Sequence, residues 1–255
     1  MSLSKHIPRR MRQSGRTLLL KKFGLAFVKQ KPLALLTNPR AELMPTLDIV
    51  VAHYIQRKGS MHFLQIGAFD GVSGDSLYPL VEKYRLSGTL VEPQYDAFCR
   101  LKLNYAKFDQ KTFNFIHAAI ADTDSTRELF RIRAGEGRPE WLPQVATFDK
   151  AVLMQQAGPG LRSSIETEEV RCIQFETLFR EHRLPHVDLL QIDAEGYDAE
   201  LLRLFDLPAR RPAIVRYEHK HLRREIQEQT VEALIRQDYQ VCLSLDDTLA
   251  YCPHY

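Results

Sequence analysis

Two carboxylates, Asp193 and Glu195, stand two positions apart directly after an apolar run at residues 187–192. Clustered acids often have shifted pKa values and mark functional sites, so this pair could contact a cofactor, orient a substrate or accept a proton. Paired carboxylates also bind Mg²⁺, although we assign no metal-ligating residue from the sequence. An acid at this position could equally cap the helix that follows, and both roles stay open for Glu195.

A second cluster of polar side chains occupies residues 215–221, which read VRYEHKH after another apolar run. Within this cluster, His219 is our candidate for a general base because the pKa of an unperturbed imidazole lies near neutrality. A single histidine is more often structural, so the sequence alone does not decide its role. The three candidate catalytic residues are therefore Asp193, Glu195 and His219.

A glycine turn begins at Gly67, directly after the apolar run at residues 62–66, and contains Ala68, Asp70 and Gly71. Glycines let the backbone approach a ligand closely, and similar turns also occur for purely structural reasons. The spacing G-x-x-x-G differs from the G-x-G-x-x-G that binds a dinucleotide pyrophosphate. S-adenosyl-L-methionine (SAM) carries a sulfonium and a zwitterionic amino acid but no phosphate, and a single turn with an acid suits it better.

An acidic residue, Glu92, followed by Pro93, comes after the next apolar run. A carboxylate at the end of a second strand can accept hydrogen bonds from both ribose hydroxyls of a nucleotide cofactor. NAD enzymes share this arrangement, so it does not choose between cofactors. Ala118 and Ala119 follow the third run, where small side chains would admit a flat adenine ring or simply allow tight packing.

Apolar runs that alternate with helical patterns predict a mostly parallel sheet covered by helices. Ligands of such sheets bind at the carboxyl ends of the strands, where the candidate residues above are found. We predict helices at residues 47–57, 76–84, 96–105, 176–182, 199–205 and 226–237, strands at 62–66, 88–91, 113–116, 127–132, 170–174, 187–192 and 213–217, and a terminal hairpin within 239–251.

Charge is distributed unevenly along the 255 residues: residues 1–40 hold ten Lys or Arg and no acid, whereas the rest holds 25 basic and 32 acidic residues. Leu19, Phe23 and Phe27 share one face of a helical pattern, which could lie on a membrane surface or dock on the acidic body. We expect no nucleic-acid partner. We divide the chain into a basic helical extension (residues 1–58) and a catalytic domain (residues 59–255).

The cysteines Cys99, Cys172, Cys242 and Cys252 form no C-x-x-C pair, which argues against zinc or thioredoxin-type chemistry. The apolar runs near the N-terminus are too short for a signal peptide or a membrane span. We therefore expect a cytoplasmic protein with reduced thiols.

The chain from about residue 62 to residue 253 resembles the FkbM-type methyltransferases, a class I SAM-dependent group. The Leu101…Asn104 pair belongs to the resemblance, and Gln65 and Phe69 depart from it because many members have Asp and Asn there. The matching segments occur in order at 63–71 (FLQIGAFDG), 88–93 (GTLVEP), 118–122 (AAIAD), 146–150 (ATFDK), 188–196 (DLLQIDAEG) and 246–250 (DDTLA).

The resemblance implies a Rossmann-like α/β fold with a seven-stranded sheet whose last strand is antiparallel and comes from the terminal hairpin. It implies that Asp193 faces the methyl group and that the adenine lies near Ala118 and Ala119. Our full set of cofactor-binding candidates is Gly67, Ala68, Asp70, Gly71, Glu92, Pro93, Ala118, Ala119 and Asp193.

Because family members mostly methylate hydroxyl oxygens, we expect O-methylation of a small molecule or glycan. The alternatives are a non-catalytic SAM-binding scaffold with a docking arm and, with less support, an NAD-dependent oxidoreductase. We expect residues 134–164 to form the acceptor pocket, with Trp141 as an aromatic platform or a core residue. The sequence leaves the acceptor and the oligomeric state open.

Overall fold

A computed structural model of the chain describes residues 46–133, 146–148, 150–157 and 163–253. Within these residues the strands form one sheet of seven strands and one of four. The strands are β1 (His62–Ile66), β2 (Ser87–Val91), β3 (Phe113–Ile116), β4 (Ala119–Ile120), β5 (Ser125–Ile132), β6 (Ala146–Thr147), β7 (Ile165–Ile173), β8 (Leu189–Ile192), β9 (Ile214–Glu218), β10 (Gln240–Leu243) and β11 (Asp247–Tyr251).

Helices follow most strands of the larger sheet, as the sequence predicts. They are α1 (Leu47–Lys58), α2 (Tyr78–Tyr84), α3 (Tyr95–Asn104), α4 (Lys150–Ala157), α5 (Phe175–His182), α6 (Asp198–Leu204), α7 (Leu207–Arg210) and α8 (Arg224–Ile235), with a 3-10 turn at Gln110–Thr112. None of the helices within the described ranges has both the length and the apolar character needed to cross a bilayer.

The larger sheet has the order β10-β11-β9-β8-β1-β2-β3. Strands β3, β2, β1, β8 and β9 pair in parallel, and β11 runs antiparallel to both β9 and β10. The predicted fold, with its antiparallel terminal hairpin, is confirmed. Because β1 has β2 on one side and β8 on the other, the strand order reverses at β1, and a crevice opens there at the carboxyl edge.

Alternating residues of the sheet supply apolar cores to its two faces. On one face, Leu64 and Leu190 pack with helices α5, α6 and α8. On the other face, Phe63 and Leu189 pack with α1, α2 and α3. Apolar side chains on both faces explain why the central strands read as continuous apolar runs.

Helix α1 belongs to the packed domain, although the sequence assigned it to the N-terminal extension. Val50, Val51 and Tyr54 are buried in the second core, and the Tyr54 hydroxyl donates a hydrogen bond of 2.6 Å to Asp188. The expectations for residues 1–40, including the amphipathic pattern of Leu19, Phe23 and Phe27, lie outside the described residues.

The smaller sheet, with the order β4-β7-β5-β6, was not foreseen. The sequence predicted parts of β5 and β7, but these strands pair with each other antiparallel over eight residues instead of joining the main sheet. Strands β4 and β6 and helix α4 were not predicted. This sheet stands over the crevice, since Leu129 and Phe130 of β5 and Thr147 of β6 line the cavity described next.

Candidate active site

A cavity of about 820 Å³ opens at the carboxyl ends of β1, β2, β8 and β9. The main sheet and its following turns form the floor, and the smaller sheet forms a wall. Eight of the sequence candidates line the cavity: Gly67, Ala68, Glu92, Pro93, Ala118, Ala119, Asp193 and Glu195. The predicted pocket residue Trp141 lies outside the described residues.

Gly67 begins the turn after β1 in a backbone conformation with φ +76°. A Cβ atom added there would lie 1.8 Å from the carbonyl oxygen of Asp193. The backbone of β8 therefore approaches this position too closely for any side chain, and the positive φ also favours glycine. Gly67 is what allows the turn after β1 and the turn after β8 to share one edge of the cavity.

Asp70 and Gly71 shape this turn and are not among the residues that line the cavity. The Asp70 carboxylate accepts hydrogen bonds from the backbone N–H groups of Val72 and Ser73 and from the Ser73 hydroxyl. Burial alone would raise the pKa of Asp70, but these hydrogen bonds outweigh it and hold the pKa below its ordinary value. A Cβ atom on Gly71 would lie 2.4 Å from Leu101.

Glu92 is buried at the end of β2, with 2% of its surface exposed, and lines the cavity. One carboxylate oxygen accepts the Phe69 N–H at 2.7 Å and the other accepts the Gln94 N–H at 2.8 Å. Burial is the largest influence and raises its pKa to about 7, although the two hydrogen bonds act in the opposite direction. Each oxygen keeps a lone pair for a further donor.

Asp193 follows β8 and lines the cavity, where part of its surface is exposed, although protein atoms enclose much of its carboxyl group. Burial, followed by repulsion from Glu218, Asp198 and Glu195, raises the pKa of Asp193 well above its ordinary value. A carboxyl group with a raised pKa is a better proton acceptor near neutral pH than an ordinary aspartate.

Glu195 forms an ion pair with His221, which the sequence analysis did not select. The His221 Nε2 lies 3.2 Å from Glu195 Oε2 and 3.4 Å from Glu218 Oε2. The hydrogen bond to Glu195 is the largest cause of a raised pKa at His221. Three potential ligand atoms, one from each side chain, lie within 4.8 Å of one another, so these residues could hold a metal ion.

His219, the histidine predicted to act as a base, does not line the cavity; His221 does. The His219 Nδ1 lies 2.9 Å from the Thr248 hydroxyl, which belongs to the neighbouring strand β11. Strand β9 ends at Glu218, and the turn that follows brings His221, two positions after His219, to the cavity.

Asp198, not Glu195, is the acid that holds the turn after β8. It is fully buried, and its carboxylate accepts hydrogen bonds from the backbone N–H groups of Ala194, Gly196 and Glu218. Burial raises its pKa to about 7 against the effect of the Gly196 hydrogen bond. Glu195 itself has a φ of +50°, an uncommon conformation for a residue with a side chain. The N-cap residue of α6 is Tyr197, and its side chain makes no capping hydrogen bond. Asp198 thus holds the turn ahead of the helix, and Glu195 faces the cavity.

Gln65, Gln191 and Asp75 form a buried polar cluster that sequence reasoning missed as a site. Gln65 and Gln191 are paired neighbours on β1 and β8, and their amide nitrogens donate to the two oxygens of Asp75 at 3.2 and 3.1 Å. The Oε1 atoms of both glutamines are buried and have no hydrogen-bond partner. All three residues line the cavity. Gln65 was noted only as a departure from the family pattern.

The sequence profile described as "Methyltransferase FkbM domain" matches residues 65–241, more than half of the chain. The chain belongs to the FkbM methyltransferase family. The resemblance seen in the sequence is thereby confirmed, and S-adenosyl-L-methionine is the cofactor. No curated protein matches the chain.

Several solved structures are similar to this FkbM-family chain. A methyltransferase FkbM from Methylobacillus flagellatus KT has 13% identity and a TM-score of 0.48, with 76% of this chain and 46% of that chain covered. This chain thus spans less than half of that protein. A putative caffeoyl-CoA O-methyltransferase from Staphylococcus aureus has 14% identity and a TM-score of 0.41, with 94% and 99% covered. TrmK from M. capricolum, in complex with S-adenosyl-homocysteine, has 8% identity and a TM-score of 0.38, with 84% and 73% covered.

Proposed function

We propose that this methyltransferase transfers the methyl group of SAM to a hydroxyl oxygen of a small molecule or glycan. The observation that carries the proposal is Asp193: it is a carboxyl group with a raised pKa, open to the same cavity as Glu92. Transfer to a hydroxyl oxygen requires removal of the hydroxyl proton, and Asp193 would accept that proton as a general base.

The residues of the cavity fit SAM. The two Glu92 oxygens each have one backbone donor, which leaves each of them able to accept one ribose hydroxyl. Ala118 and Ala119 would flank the adenine with small buried side chains. The unpartnered oxygens of Gln65 and Gln191 are acceptors suited to the ammonium group.

The glycine turn has two roles in this proposal. Gly67, Ala68 and Pro93 would contact the cofactor because they line the cavity. Asp70 and Gly71, which are absent from the cavity lining, would instead hold the turn in shape through the contacts described above.

Asp193 would accept the proton of the acceptor hydroxyl as that oxygen attacks. When bound, SAM supplies an electrophilic methyl group on a positively charged sulfur. The chain's own contribution is then to align the hydroxyl with that methyl group and to hold negative charge nearby. Glu195 and Glu218, the acids near Asp193 at the ends of β8 and β9, would provide this charge.

The proposal is tested by incubating the protein with SAM and a panel of sugars, phenols and aliphatic alcohols, and by measuring S-adenosylhomocysteine release. We expect a methyl ether as the product, identified by NMR. Asp193→Asn should lower kcat by roughly 100-fold or more, while the Kd for S-adenosylhomocysteine changes little. A product methylated at nitrogen or carbon would contradict O-methylation, and an Asp193→Asn variant with full kcat would contradict the assigned base.

We also propose that the protein acts in the cytoplasm. All four cysteines are free, as expected of a protein in a reducing compartment. Fractionation of cells expressing the tagged full chain tests this location; recovery in an oxidising compartment would contradict it.

A further inference from the structure

Glu195, Glu218 and His221 converge where β8 and β9 end, beside Asp193. The distances from the His221 Nε2 to the nearest carboxylate oxygens are 3.2 Å for Glu195 and 3.4 Å for Glu218. The three side chains are largely buried, with 18%, 14% and 22% exposed, respectively. The cluster is therefore a fixed part of the fold and not a chance meeting of surface charges.

Hydrogen bonding within this cluster leaves one carboxylate oxygen unsatisfied. The His221 Nε2 can present a single proton, whereas two carboxylates face it. The buried Glu218 Oε2 has no hydrogen-bond partner, and the cation of Lys220 lies 3.5 Å from the other oxygen, Oε1. An unsatisfied buried carboxylate oxygen is costly, and a cation shared by the three side chains would satisfy it.

The spacing of the cluster matches that of ligands around a metal ion. Nitrogen and oxygen ligands lie about 2.0–2.2 Å from a zinc ion, so neighbouring ligand atoms lie roughly 3.0–3.5 Å apart. The two distances to the His221 Nε2 fall in this range, and all three ligand atoms lie within 4.8 Å of one another. One imidazole with two carboxylates suits Zn²⁺ or Mn²⁺ better than the all-oxygen sites of Mg²⁺ and Ca²⁺.

We propose that Glu195, Glu218 and His221 bind a divalent transition-metal ion at the edge of the cavity where β8 and β9 end. Glu195 and His221 line the cavity, so the remaining coordination positions of the ion would face it. The catalytic consequence rests on the proposed function: an ion held there would place positive charge beside the acceptor hydroxyl and would make its proton easier to remove.

Metal binding by the full chain tests this proposal directly. After removal of metals with a chelator, the protein is titrated with Mn²⁺ and free Mn²⁺ is followed by electron paramagnetic resonance; Zn²⁺ is titrated by calorimetry. We expect one ion per chain. Pulsed measurements on the Mn²⁺ complex should show coupling to an imidazole nitrogen, which reports a histidine ligand without any substitution.

The variants Glu218→Gln and His221→Asn should weaken Mn²⁺ binding by at least about 10-fold. His186→Asn is the matched control because it removes an exposed imidazole that also lies near an acid, 3.8 Å from Asp188; it should bind Mn²⁺ like the unchanged protein. Absence of saturable binding, absence of nitrogen coupling, or binding that both variants retain would overturn the proposal. Each sample is also titrated with S-adenosylhomocysteine. If the unchanged protein does not bind S-adenosylhomocysteine, the proposed function is contradicted. If it binds S-adenosylhomocysteine but no metal ion, only the metal site is contradicted.

Discussion

At the scale of single residues, Glu92 carries an unusual combination of burial and charge. It is almost completely enclosed, and two backbone N–H groups hold its oxygens in place. Burial raises its pKa from 4.5 to about 7. The ligand-free protein therefore carries a proton on Glu92 below that pH, whereas hydroxyl donors of a ligand favour the ionised carboxylate.

Affinity for S-adenosylhomocysteine should consequently rise with pH. Since Glu92 must lose its proton before it accepts both ribose hydroxyls, binding at pH 6 should be about 10-fold weaker than at pH 8. Glu92→Gln cannot ionise, so its binding should be weaker and nearly independent of pH over this interval. Calorimetric titrations of both proteins at several pH values measure the effect, and equal slopes for the two would contradict the role of Glu92.

At the scale of elements, the turn between β8 and α6 positions the candidate catalytic groups. Asp198 fixes this turn by accepting three backbone N–H groups, including that of Glu218 on the adjacent strand β9. The same carboxylate thus ties together the two strand ends that present Asp193, Glu195 and Glu218.

Asp198→Ala should lower the free energy of unfolding by about 3 kcal/mol, because it leaves buried N–H groups without an acceptor. For a domain of this size the expected fall in Tm is roughly 6–12 °C. Asp198→Asn keeps an acceptor oxygen, and we expect its free energy of unfolding to fall by less than half as much as that of Asp198→Ala. Thermal unfolding followed by circular dichroism provides the comparison; an alanine variant as stable as the asparagine variant would contradict this account of the turn.

Local sequence patterns predicted the elements that end at the cavity better than they predicted contacts between distant elements. The strand-end rule identified Gly67, Glu92 and Asp193, because each follows directly on an apolar run. His221 was missed in favour of His219 because the turn after β9 breaks the alternation of side chains. Strands β5 and β7 pair although more than 30 residues separate them in the sequence, and local periodicity cannot predict such a pairing. The cluster of Gln65, Gln191 and Asp75 likewise depends on strand order.

At the scale of the whole molecule, basic and acidic residues are distributed unevenly along the sequence. Residues 1–40 carry ten basic and no acidic side chains, and the remainder has seven more acids than bases, 32 against 25. Opposite charges attract through water over roughly 10 Å at 0.1 M salt. We therefore expect the basic segment to bind the acidic body.

Deletion of residues 1–40 should lower Tm at low salt, and added NaCl should reduce the difference between the full and shortened chains. Differential scanning calorimetry at 50 and 500 mM NaCl measures it, with a neutral osmolyte as the control. A membrane role predicts something else: the full chain would sediment with anionic vesicles, the shortened chain would not, and the Tm difference would be absent.

The most direct test of the central claim is calorimetric titration of the purified full chain with S-adenosylhomocysteine, with Glu92→Ala as the variant and NAD as the control ligand. The claim is that the cavity at the carboxyl edge of the sheet binds this cofactor through Glu92. We expect a micromolar Kd for S-adenosylhomocysteine, loss of binding in Glu92→Ala, and no heat of binding with NAD. Absence of binding in the unchanged protein, or unchanged affinity in Glu92→Ala, would mean that the glycine turn and Glu92 are structural, and the cofactor site would have to be sought elsewhere.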